Sequence, residues 1–156
     1  SKVPVATLNL SGRVFMNGAM DDPFALGLKE IERLREEAKV ILVDMHGEAS
    51  SEKTAIASYF DGLVSAVVGT HTRVVTGDER ILPGGTAYQT DLGMTGPLWS
   101  VIGFNPATVL PRFINALPTR FEVGDGPVIL NACQVDVDPA TGRALQIERI
   151  SRVVEV

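Results

Sequence analysis

The chain carries a single cysteine, Cys133, so an internal disulfide is excluded and nothing in its cysteine usage argues for secretion. No apolar run approaches the ~20 residues that a membrane-spanning helix needs. No basic, apolar, small-residue leader precedes the first strand-like segment; the sequence opens Ser1-Lys2. Together these absences set the expectation of a cytoplasmic protein with no membrane partner. A basic stripe is also missing. With a net charge of −5, the chain has no surplus of cations to displace counterions from DNA or RNA, so extended nucleic acid is excluded as a partner. A small phosphorylated ligand is not excluded, because a bound metal would dominate the local field. Internal repeats, low-complexity tracts and interdomain linkers are absent, as are the spacings of a P-loop or a dinucleotide fingerprint. Ser50 and Ser51 lack the elbow context of an esterase nucleophile, which rejects a serine hydrolase.

What is present describes one ordinary globular domain over residues 1–156: 45% hydrophobic and 21% charged residues, enough to bury a sizeable core. Residues 3–10 read as a strand, and 24–38 as an amphipathic helix with Leu28, Ile31, Leu34 and Ala38 on its apolar face. Asp21 and Asp22 read as its cap. Val40 to Met45 is a continuous apolar run, as in a strand covered on both faces. A second helix is predicted over 52–60 with Ser50 or Ser51 as N-cap, and a further buried strand over 65–68. Gly and Pro punctuate 77–103, leaving room for a short strand at 87–89. Pro111 predicts a kink or a late start in a helix after Asn105-Pro106. Strands are predicted over 120–123, 128–137 and 145–153, with a turn at 138–142. The fold class is therefore α/β, a layered core with an antiparallel section at the end.

The chemistry concentrates at the only two histidines, His46 and His71. Each follows an apolar strand directly, and in open α/β sheets ligands gather outside the carboxyl ends of the strands. Two imidazoles delivered there suit a borderline divalent metal such as Mn, Fe, Co, Ni or Zn. The competing reading is a pair of satisfied polar residues at strand ends. Asp44, inside its strand, must be paired or face a site, and Glu48 follows His46 in the loop; either could orient an imidazole. A capping role ahead of the second helix is the plainer reading of Glu48. The loop 90–97, with Asp91 and Thr95, could close over a ligand, and Cys133 reads as a core residue.

Four segments then occur in one order: His46 to Lys53 (HGEASSEK), Val67 to Thr72 (VVGTHT), Ile81 to Tyr88 (ILPGGTAY) and Thr90 to Pro97 (TDLGMTGP). That series resembles the YmdB-like bacterial branch of the calcineurin-type metallophosphoesterases. The resemblance implies an α/β/β/α-type layered sandwich and a cytosolic two-metal phosphoesterase or phosphodiesterase acting on 2′,3′-cyclic nucleotides among other phosphoesters. It further implies that the chain matches the carboxy-terminal half, the amino-terminal half holding other ligands and a catalytic histidine. By the resemblance His46 and His71 are ligands of one divalent transition metal, Mn, Fe or Zn. Where the second histidine of the glycine–threonine–histidine–threonine–histidine motif would ligate the other metal, this chain has Arg73. A guanidinium offers no lone pair, so it cannot replace an imidazole. It could occupy the vacated cation site or hold a phosphate oxygen. Glu48, Arg73 and Thr95 are accordingly the candidates for orienting a ligand or contacting phosphate. The expectation is a phosphoesterase half that is incomplete or inactive by itself and need not retain its metal. The alternative is a non-catalytic descendant binding a phosphorylated ligand, one metal or a protein. Exposed sheet surface would make it a homo-oligomer or the partner of a missing half.

Overall fold

In the computed structural model, which describes residues 2–155, two sheets stack beneath a layer of helices. β1 (Val5–Ser11), α1 (Pro23–Leu34), β2 (Val40–His46), α2 (Ser50–Tyr59) and β3 (Ala66–Thr70) follow one another as the sequence predicts. β4 (Arg80–Ile81) and β5 (Ala87–Gln89) complete a five-stranded sheet in the order β1-β2-β3-β5-β4, parallel except for β4. Parallel neighbours need crossovers, and right-handed ones place α1 and α2 on the same face. Ile31 of α1 and Ile56 and Ala57 of α2 are buried there with Val43, Met45 and Val67.

Side chains alternate along a strand, so Leu42, Asp44 and His46 point to the opposite face from Val43 and Met45. That second face meets a three-stranded antiparallel sheet of β6 (Gly96–Pro97), β7 (Val128–Val137) and β8 (Ala144–Val154). Val40, Leu42, Ala66 and Val68 oppose Cys133, Val135 and Val137 across an apolar cleft of about 370 Å³. Cys133 is half-buried in that layer, and burial raises its thiol above the ordinary range. The α/β class with an antiparallel end is thus the observed architecture.

Several local expectations differ from the outcome. Asp22 caps α1 by accepting from the Phe24 amide, but α2 begins at Ser50 with Ala49 at its N-cap and no side-chain cap bond. α3 (Pro106–Asn115) runs through Pro111 after Asn105 caps it; the carbonyl that loses its partner belongs to Ala107, which is exposed to solvent. Residues 120–123 form no strand: only Val123 makes an isolated bridge, to Phe104, because the segment lies beside α3 and not along a sheet. No helix among the described residues is long and apolar enough to cross a membrane.

Asp78 ties β4 to the end of β5. Its carboxylate accepts from the Thr90 hydroxyl at 2.6 Å and from the Thr90 amide at 3.1 Å. Burial alone would raise this carboxyl, but the hydroxyls of Thr76 and Thr90, the Thr90 N–H and Arg80 together hold it below the usual range. A depressed folded-state value adds stability above the unfolded-state value, about 3.9, and loses it as pH falls further. The wild type is therefore expected to lose stability more steeply than Asp78→Asn below about pH 4. Denaturant titrations across pH 2–5 check this, and parallel slopes would refute it.

Candidate metal-binding site

β2 and β3 end side by side. Their parallel register pairs Asp44 with Val68 and His46 with Thr70, while Asn9 on β1 pairs with Asp44. Residues opposite one another in a sheet point the same way, so Asn9, Asp44, His46 and Thr70 converge on one face at the carboxyl ends of the strands. Thr70 is the last residue of β3, and His71 follows it with a φ of 105°. A positive φ is unusual for a residue with a Cβ and persists only where the surroundings impose it.

The hydrogen bonds settle which nitrogen of each ring is free. Asn9 Nδ2 donates to Asp44 Oδ2 at 2.8 Å, and Thr70 Oγ1 donates to Asp44 Oδ1 at 2.7 Å. A hydroxyl has one hydrogen, and the carboxylate can only accept it. The 3.0 Å contact between His46 Nδ1 and Thr70 Oγ1 then requires Nδ1 to donate, which in neutral His46 leaves Nε2 bare. On the other ring, Nε2 lies 3.0 Å from Glu48 Oε2 and must donate to it, so in neutral His71 Nδ1 is bare. The two bare atoms, His46 Nε2 and His71 Nδ1, face each other at 3.1 Å. The rings stand at 90°, with centroids 4.8 Å apart.

Two lone pairs at that distance repel unless a positive centre lies between them. A shared proton satisfies the condition, and so does a metal cation. Nitrogens each about 2.0–2.1 Å from one ion, at an angle between the right and the tetrahedral, sit roughly 2.8–3.4 Å apart, so the observed pair fits a common ion. It supplies two donors; among the described residues no group of three or more His, Cys, Asp or Glu is placed to hold a metal.

The sequence-predicted residues separate here. His46, His71, Glu48 and Asp44 come together, with Glu48 on the imidazole and not at a helix cap. Arg73, also at positive φ (66°), turns away: its Nη1 donates to the Ile102 carbonyl at 3.2 Å and its guanidinium lies over the Phe104 ring. Thr95 is exposed and precedes β6, with no hydrogen bond to the histidines. Sequence reading missed Thr70 and Lys53. Lys53 gave a signal: it falls with Ile56, Ala57 and Phe60 at helical spacing on the buried side of α2.

A profile of the YmdB-like protein family matches residues 1–150. The chain belongs to the YmdB-like family. A Bacillus subtilis relative named 2′,3′-cyclic-nucleotide 2′-phosphodiesterase is 49% identical over 149 residues, covering 94% of this chain and 55% of the relative. The crystal structure of a Thermus thermophilus protein described as hypothetical superposes with a TM-score of 0.85 at 42% identity, over 96% of this chain and 56% of that one. A second crystal structure, of a Mycoplasma pneumoniae protein described as a novel phosphatase, gives a TM-score of 0.85 at 38% identity, over 94% and 52%. The chain thus spans about half the length of the relatives it matches. The family match runs along the whole chain, which gives no support to the expectation of a carboxy-terminal half in particular.

Proposed function

We propose that the chain contributes one metal-binding corner of a metal-dependent phosphoesterase whose substrate is a small phosphorylated molecule. The facing bare nitrogens of His46 and His71 carry this reading. His46 Nε2 and His71 Nδ1 would hold one divalent transition metal, with Mn, Fe and Zn all suited to imidazole. Such an ion, when bound, polarises a phosphoester and stabilises the negative charge that builds on its oxygens. The chain's own residues hold that point in place: Asp44 through Thr70 fixes the His46 ring, and Glu48 fixes His71. Catalytic zinc normally keeps about three protein ligands, so further donors come from outside the described residues, in the same polypeptide or a partner. A 2′,3′-cyclic nucleotide is the substrate favoured by the name of the Bacillus relative.

One observation favours a second reading, a non-catalytic descendant that keeps a single ion. Arg73 stands where the family motif has its other histidine, and its guanidinium is already engaged by Ile102 and Phe104. Incubation with Mn²⁺, followed by metal analysis and assay on bis-p-nitrophenyl phosphate and 2′,3′-cyclic AMP, tests both readings. The expected result is a bound ion with little hydrolysis by this chain alone, and hydrolysis once the segment corresponding to the rest of its relatives is supplied. In that complete setting Arg73→His is expected to raise the rate at least ~10-fold by restoring a second ligand set. Absence of both metal and hydrolysis in the complete protein would sink the phosphoesterase reading. Full activity with Arg73 in place would sink the degenerate one. The exposed apolar stripe of α3, Leu110, Phe113 and Ile114, supports self-association or a second half as partner.

A further inference from the structure

Behind the histidine pair lies a charged pair that the metal-binding reading does not use. Lys53 of α2 is fully buried, as is Asp91 just after β5, and Lys53 Nζ donates to Asp91 Oδ2 at 2.7 Å. Taking two charges out of water is costly, and a layered core of this kind could fill the same volume with apolar groups. What the pair does locally is bracket His71. Lys53 Nζ also donates to the carbonyl of Thr70, the preceding residue, at 2.7 Å. Asp91 Oδ2 accepts from the amide of Thr72, the following residue, at 3.1 Å. The one residue between those bonds is the one at φ 105°. Asp91 is itself anchored, because its Oδ1 accepts from Gly93 N and its own amide donates to Thr76 Oγ1.

We propose that Lys53 and Asp91 are positioning residues: a buried ionic clamp that forces His71 into its left-handed conformation and so aims Nδ1 at His46 Nε2. The inference rests on the metal-binding reading for its purpose, and on the backbone geometry for its existence. Without the clamp, the peptide relaxes toward negative φ and the His71 ring swings out of line with His46. Lys53 and Asp91 bond the backbone on either side of His71 and make no hydrogen bond to either histidine ring.

The test replaces the pair together, Lys53→Met with Asp91→Leu, because removing both charges leaves no buried ion unpaired and often spares stability. Two quantities are read in the full chain: exchange of the Thr72 amide by NMR, and Zn²⁺ affinity by titration. The expected result is a protein that melts close to the wild type, with Thr72 exchanging at least ~10-fold faster and Zn²⁺ affinity down about 10–100-fold, as for lost orienting groups. A folded double variant with unchanged exchange, or with unchanged affinity where the wild type binds, overturns the clamp. A wild type that takes up no Zn²⁺ refutes the metal-binding reading instead, and amide exchange alone then decides whether the clamp exists. Should the double variant melt below the assay temperature, Lys53→Met with Asp91→Asn also leaves no buried charge unpaired and keeps the Asp91 shape and one acceptor oxygen. It is expected to show smaller losses in the same two readouts, and no change in either would overturn the proposal.

Discussion

Replacing His46 or His71 by alanine is expected to lower the affinity for Zn²⁺ or Mn²⁺ by about 100-fold or more, beyond the 10–100-fold typical of a lost orienting partner. Each ring supplies one of the two bare nitrogens that face each other at 3.1 Å, and removing either leaves a single donor. Thr70→Val separates the donor from its support, keeping the volume while deleting the hydroxyl that links Asp44 to His46 Nδ1. There the expected loss is about 10-fold to 100-fold. Isothermal titration of the three variants measures the series. If His46→Ala binds as the wild type does, the facing nitrogens are not a cation site, and the pair is a shared-proton contact at two strand ends. If Thr70→Val alone is neutral, the ring is held by its packing and not by the hydroxyl.

Gly69→Ala is expected to be the most damaging single methyl in the chain. A Cβ at residue 69 would lie 1.6 Å from the Thr90 carbonyl oxygen and 2.9 Å from Cδ of Lys53. A backbone oxygen cannot rotate away as a side chain can, so β3 and the 90–92 segment must separate. That separation breaks the bond from Leu92 N to Gly69 O and disturbs the Lys53–Asp91 pair beside it. Overpacking costs typically 1–3 kcal/mol, and forcing backbone apart belongs at or above the top of that range, about 3 kcal/mol. For a chain of this length that is a fall in Tm of roughly 6–12 °C. Calorimetry provides the measurement, and a melting temperature close to that of the wild type would show that the contact relaxes freely. The same crowding bears on the loop at 90–97, which reads in sequence as a segment able to close over a ligand. Its first half is pinned, by Asp91 to Lys53 and by Leu92 to Gly69.

The order of strands and helices through residue 70 is legible in the sequence because each core element carries its own periodicity. Continuous apolar runs mark β2 and β3, and the 3.6-residue stripe marks α1. Residues 120–123 read as a strand too, yet a short apolar stretch becomes one only if a neighbour offers an edge, and here α3 lies beside it. Arg73 departs visibly from its motif, but its partners leave no local trace: Ile102 lies 29 residues away, and Phe104 further still.

By itself the sequence pointed to His46 and His71 as residues at strand ends, since each follows a short continuous apolar run. It also determined that Arg73 can give no lone pair. Only the tertiary structure decided which nitrogens are free. That depends on a register placing Thr70 opposite His46, and on Glu48 reaching the far side of the His71 ring. Hydrogen-bond direction is a property of pairs of groups, and residues 24 to 26 positions apart become such pairs only when the sheet forms.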